Sequence, residues 1–133
     1  MRGEINFDKR SRQIVKFSGL RYGNITPTDI DGFLDFGNRL FVFIETKSGD
    51  TELPYGQRLA IERLCDACQD GGVASVAIVA RHNEPPENDI IVADSQVDEY
   101  RWHGKWNKTH AVVTCKDVID YFYNKYGESR GAQ

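Results

Sequence analysis

The sequence predicts an α/β domain, and three observations point that way. Apolar residues change along the chain from helical spacing to continuous β-branched and aromatic runs and back. The segments follow one another as helix, hairpin, helix, strand, strand and helix. The 133 residues, 40% of them hydrophobic, suffice for one core without disulfide or metal staples, so 1–133 reads as a single domain.

Phe7 to Leu20 carries apolar residues at Phe7, Ile14, Val15, Phe17 and Leu20 and reads as a helix ended by Gly19 or Gly23. From Thr28 to Lys47, runs rich in Phe, Ile, Leu and Val are interrupted once, at Gly37-Asn38-Arg39, which is the pattern of a β-hairpin. Gly49-Asp50-Thr51 punctuates the chain. Pro54 then opens a helix to about Asp70, since its missing N–H costs nothing in a first turn. Gly71-Gly72 stops that helix, and Val73 to Ala80 is the apolar, β-branched run of a buried strand. Asn83 to Asn88, with Pro85-Pro86, is a loop. Asp89 to Ala93 reads as another strand, and Glu99 to Asn107 as a further strand or turn carrying Tyr100, Trp102 and Trp106. Thr114 caps a last helix in which Val118, Ile119, Phe122 and Tyr126 recur before Gly127 ends it. Glu128 to Gln133 is expected to be a disordered tail.

The chemistry concentrates in the hairpin. Side chains alternate along a strand, so Glu45 and Lys47 share one face while Thr46 points away. Turn length decides what stands opposite them. A two-residue Gly37-Asn38 turn would set Asp31 against Ile44. A three-residue Gly37-Asn38-Arg39 turn pairs Phe36 with Leu40, Leu34 with Val42, Phe33 with Phe43, Gly32 with Ile44 and Asp31 with Glu45. The second register matches apolar with apolar, and a one-residue slip would turn every side chain to the other face. The hydrophobic pattern thus selects the alignment that joins the acids, and it also sets Asp29 opposite Lys47. Carboxylates facing across a strand pair, with Cβ atoms about 4.5–5.5 Å apart, repel unless a cation sits between them. Oxygen donors favour Mg²⁺ or Mn²⁺, and Mg²⁺ takes one or two protein carboxylates and completes its shell with water and phosphate oxygens. Such a site suits a phosphodiester.

These residues resemble the PD-(D/E)XK nuclease superfamily, with Pro27 and Asp29 or Asp31 as its first element and Glu45-Thr46-Lys47 as E-x-K. The likeness covers the hairpin and, more loosely, the order of helix, hairpin, helix and strand through Ala80; small phage and bacterial nucleases and archaeal-type Holliday junction resolvases are the nearest comparisons. It implies a restriction-endonuclease-like core, a central mixed β-sheet flanked by helices, and a Mg²⁺- or Mn²⁺-dependent endonuclease acting on DNA. By the same resemblance, Asp31, Glu45 and the backbone carbonyl of Thr46 would hold the metal. Lys47 would orient or help activate the attacking water. Thr28 separates Pro27 from the acids, so Asp29 is a second candidate for the ligand aspartate and otherwise an accessory acid. Gln57 shares a helix face with Ile61, Leu64 and Cys68. It is similar to a glutamine that, in several groups of the superfamily, contacts metal-bound water or the DNA backbone; a helix-start glutamine reaching solvent is the plainer alternative. A homodimer would let two sites cut two strands. The rival function is a nuclease-fold module that binds nucleic acid or assembles without turnover.

Other signals bound the reading. No apolar run approaches the roughly 20 residues of a membrane span, and Met1 to Arg12 is polar rather than a signal peptide. Three cysteines do not make a disulfide framework. The expected location is therefore cytoplasmic, in the host cytoplasm if a phage encodes the chain, with no membrane partner. A net charge of -3 is unlike most nucleic-acid binders. Two locally basic stretches offset it, one from Arg2 to Arg21 and one holding Arg101, Lys105 and Lys108 among Trp102, His103, Trp106 and His110. Cys65 and Cys68 lie inside a helix and read as core, and Trp102 and Trp106 as covering aromatics.

Overall fold

The computed structural model describes residues 13–128. Strands β1 (Gly32–Asp35), β2 (Leu40–Ser48), β3 (Ala74–His82), β4 (Gln96–Trp102) and β5 (Lys105–Lys108) form one sheet in that spatial order. Only β2 and β3 run parallel; the other neighbours are antiparallel. The parallel pair is joined by helix α1 (Tyr55–Asp70), the long crossover such a pair requires. Helix α2 (Cys115–Phe122) follows the last strand and widens into a π-helical turn over Tyr123–Gly127.

The two helices cover opposite faces of the sheet. Alternation along β2 sends Val42 and Ile44 to the α2 side, where they meet Val76, Ile78, Ala80, Val97, Cys115, Val118 and Phe122. Phe43 points to the α1 side and meets Ala77, Ile61 and Cys65. β3 is buried on both faces, which is why its sequence is apolar from Ala74 to Ala80 but for the buried Ser75.

The hairpin has the three-residue turn. Gly32, Phe33, Leu34 and Asp35 pair with Ile44, Phe43, Val42 and Phe41, and Phe36 N–H donates to Leu40 C=O at 2.9 Å. Gly37 and Asn38 both take left-handed φ, 62° and 63°, and the Asn38 N–H donates to the Asp35 carboxylate at 2.8 Å. Glycine and asparagine carry that conformation at least cost. Pro54 flanks α1 with extended ψ instead of forming its first helical residue, and Gly71 and Gly72 end it. Thr114 caps α2 through a reciprocal box with Asp117.

Several expectations fail. Residues 13–20 are not helical: they are exposed, with a turn at Ser18-Gly19 where Gly19 takes φ 91°. Ile14, Val15 and Phe17 are exposed and find no covering surface among the described residues, and a short helix without tertiary support is marginal. Residues 7–12 of that expected helix lie outside the described residues, as do residues 129–133 of the expected tail. Asp89 to Ala93 is not a strand; it leads into a 3₁₀ turn at Val92–Asp94, and β4 begins only where Gln96 can pair with Arg81. The Glu99 to Asn107 region resolves into a hairpin whose turn residues His103 and Gly104 both have positive φ, the two-residue type matched to strand twist. Gly127 closes the C-terminal turn because a Cβ there would lie 3.2 Å from a Leu40 methyl and 3.3 Å from the Phe36 ring.

Candidate functional site

Glu45 and Lys47 lie near the C-terminal end of β2 on the α1 face, and the β2–α1 crossover returns the start of α1 beside them. Glu45 is only 1% exposed. Its Oε2 accepts a 3.0 Å hydrogen bond from the Gln57 amide in the first turn of α1, so Gln57 reaches the site and not solvent alone. Its Oε1 is buried and accepts no hydrogen bond among the described residues. Burial first, then the neighbouring Asp31 charge and its hydrogen bonding, push the Glu45 carboxyl up to about 7 against the opposing pull of Gln57 and then Lys47. Lys47 is half-buried, and no described carboxylate forms an ion pair with it.

Asp31 stands one residue before the end of the β1–β2 ladder, next to Glu45 in the continuing register. Its Oδ2 accepts hydrogen bonds from the Thr46 N–H at 2.8 Å and the Thr46 hydroxyl at 3.1 Å. A strand residue's N–H and C=O project to the same side. The Thr46 carbonyl therefore also faces the edge that β1 leaves uncovered beyond Gly32. Asp31, Glu45 and this carbonyl come together as an oxygen-only donor set.

Asp29 does not extend the ladder to Lys47, because β1 begins at Gly32. It lines a cavity of about 150 Å³ with Glu45, Thr28, Ile30, Ala60 and other residues of α1. Among the described residues, no third His, Cys, Asp or Glu joins the two carboxylates in a metal-binding group. The donor set nevertheless fits a hard divalent cation that keeps most of its water. The sign of fit is the crowding of two carboxylates, Glu45 with a buried oxygen that accepts no hydrogen bond from the described residues, since such a pair is costly unless a proton or a cation lies between its members.

Sequence reasoning missed Arg81. It is the β3 partner of Lys47, it bonds the carbonyls of Gly49 and Thr51, and it pairs with Asp98 at 3.0 Å, which fixes the loop between β2 and α1. Its position directly after an apolar run was the only available signal. The basic stretch at 101–108 is largely spent internally: Arg101 pairs with Asp66 and Lys108 with Glu99. Trp106 packs on the α1 side, and Trp102 against Phe122 and Tyr126. Cys65 is core, its thiol pushed up to about 12 by burial. No helix among the described residues is long and apolar enough to cross a membrane.

No protein-family model, curated protein or solved structure matches the chain.

Proposed function

We propose that the chain is a metal-dependent nuclease that hydrolyses phosphodiester bonds in DNA as an endonuclease, on a core of the restriction-endonuclease type. The observation that carries the reading is a buried Glu45 oxygen that accepts no hydrogen bond among the described residues, beside a second carboxylate and an ammonium that forms no ion pair with a described carboxylate. Asp31, Glu45 and the Thr46 carbonyl would hold Mg²⁺ or Mn²⁺, which when bound polarises a phosphoryl oxygen and lowers the pKa of coordinated water.

The chain's own groups divide the remaining work. Thr46 fixes Asp31 through two donors, so one acid is preorganised at the end of the hairpin. Gln57 holds Oε2 of Glu45 and leaves Oε1 available. Lys47, on the same face as Glu45, places a positive charge where charge develops on a phosphate, and it orients the attacking water.

The test is a cleavage assay on linear duplex, single-stranded and branched DNA with Mg²⁺, Mn²⁺ or EDTA. Products are expected only with a cation, and Lys47→Ala and Glu45→Ala should each remove them while circular dichroism stays native. Full cation-dependent cleavage by both variants overturns the reading. Binding without products would instead assign a module that does not turn over.

A further inference from the structure

Gln57 reaches Glu45 from the first turn of α1, yet little in α1 itself aims that turn. The helix has no side-chain cap at its start. It packs chiefly on β3 rather than on β2, and its buried residues, Ile61 and Cys65, lie one turn and more beyond Gln57. The link from β2 to α1 must therefore set where the first turn lies, and two features hold that link. One is Leu53, its only buried side chain. The other is Arg81, near the end of β3. Its Nη1 donates to the carbonyls of Gly49, at 3.1 Å, and Thr51, and its Nε donates to the Asp98 carboxylate at 3.0 Å. One guanidinium thus joins β3, β4 and the link. Backbone bonds complete the turn, the Gly49 N–H donating to His82 C=O at 2.8 Å and the Thr51 N–H to Ser48 C=O at 3.0 Å.

We infer that Arg81 is a positioning residue of the site: by holding the carbonyls of Gly49 and Thr51 against the end of β3, it sets the first turn of α1 where the Gln57 amide meets Oε2 of Glu45. The inference deepens the nuclease reading and rests on it for the effect on turnover. Arg81 makes no hydrogen bond or ion pair with Asp31 or Glu45, so its effect runs through Gln57. The shape of the guanidinium is what the place requires. Donors fixed in a plane reach two carbonyls on one side and a carboxylate on another, whereas an ammonium is a point charge on a flexible stem. Arg81 is also the β3 partner of Lys47. Arg81→Lys keeps the positive charge there and removes the fork, which separates position from charge.

The experiment follows the Gln57 side-chain amide in two-dimensional NMR spectra of the full chain in EDTA, assigned through Gln57→Glu, together with DNA cleavage in Mg²⁺ or Mn²⁺. In Arg81→Lys the Gln57 signal should move to the position of an exposed glutamine, and kcat should fall about tenfold at unchanged KM. Asp98→Asn, which loosens the guanidinium from β4 and keeps the side-chain volume, should displace the same signal and lower kcat about threefold. It carries the test should Arg81→Lys fail to fold. Arg101→Lys breaks a fork onto Asp66 in the C-terminal half of α1 and should leave the Gln57 signal and kcat as in the parent. A parental Gln57 signal in Arg81→Lys overturns the inference, as does an equal displacement in Arg101→Lys, which would mark general loosening. A displaced signal with parental kcat overturns the role of Arg81 in the reaction. A signal displaced in Arg81→Lys and not in Arg101→Lys, with no cleavage by the parent under either cation, supports the positioning and overturns the nuclease reading.

Discussion

The two faces of the sheet are built on opposite plans. Against α2 the contacts are almost wholly aliphatic and aromatic, from Val42, Ile44, Val76, Ile78 and Val97 to Val118 and Phe122. Against α1 the sheet presents Glu45, Lys47, Glu99, Arg101, Trp106 and Lys108. Nearly every charge buried there has a counterpart. Arg101 forks onto Asp66 at 2.9 and 2.7 Å, Glu99 meets Arg58 and Lys108, and Glu62 accepts from the Trp106 indole at 2.7 Å while Arg58 lies over that ring. Glu45 is the exception: no described cation forms an ion pair with it, and of its two oxygens one takes the Gln57 amide while the other, like Glu99 Oε1, accepts no hydrogen bond. The difference teaches that polarity on the α1 face is affordable where it is paired, and that the one unpaired acid marks the site.

Truncating the apolar face should have the largest effect on stability. Ile78→Ala opens a cavity in the middle of the central strand and should cost about 3–4 kcal/mol in urea unfolding. Next comes the unpaired acid. Because the folded-state pKa of Glu45 is raised to about 7 from 4.5, folding favours its protonated form. The stability this confers is complete below about pH 4.5 and is lost as pH rises through 7, on the order of 3 kcal/mol in all. Glu45→Gln should remove that loss, so in EDTA at pH 8 the variant should melt above the parent; a lower melting temperature would contradict the assignment. The smallest effect belongs to the paired charges. Arg101→Ala leaves a partly exposed Asp66 without its fork and should cost about 1–3 kcal/mol.

The legible parts of the molecule were those set by local rules. The register of β1 on β2 followed from period-two alternation and one turn length, and α1 and β3 from helical spacing and an apolar run bounded by glycines. The exposed segment at 13–20 misled because apolar spacing describes a helix only where something covers its face. Asp89 to Ala93 misled because a strand needs an edge to pair with, and the edge of β3 is first taken at Gln96. Within the site, the adjacency of Asp31 and Glu45 was legible from register. The Asp31 bond to the Thr46 backbone was not, since any strand offers such an N–H. Nor was the burial of Glu45, because a carboxylate is expected outside unless long-range packing covers it. Contacts such as Arg101 with Asp66, 35 residues apart, leave no local trace.

Calorimetric titration of Mn²⁺ into the intact chain near pH 7, repeated in two buffers of different ionisation enthalpy, tests the central claim directly. A cation held by Asp31 and Glu45 should saturate a single site and release protons as the Glu45 carboxyl ionises, and both the binding heat and the proton release should vanish in Glu45→Gln and fall sharply in Asp31→Asn. Absence of binding by the parent, or the same isotherm in all three proteins, would contradict the proposed metal site.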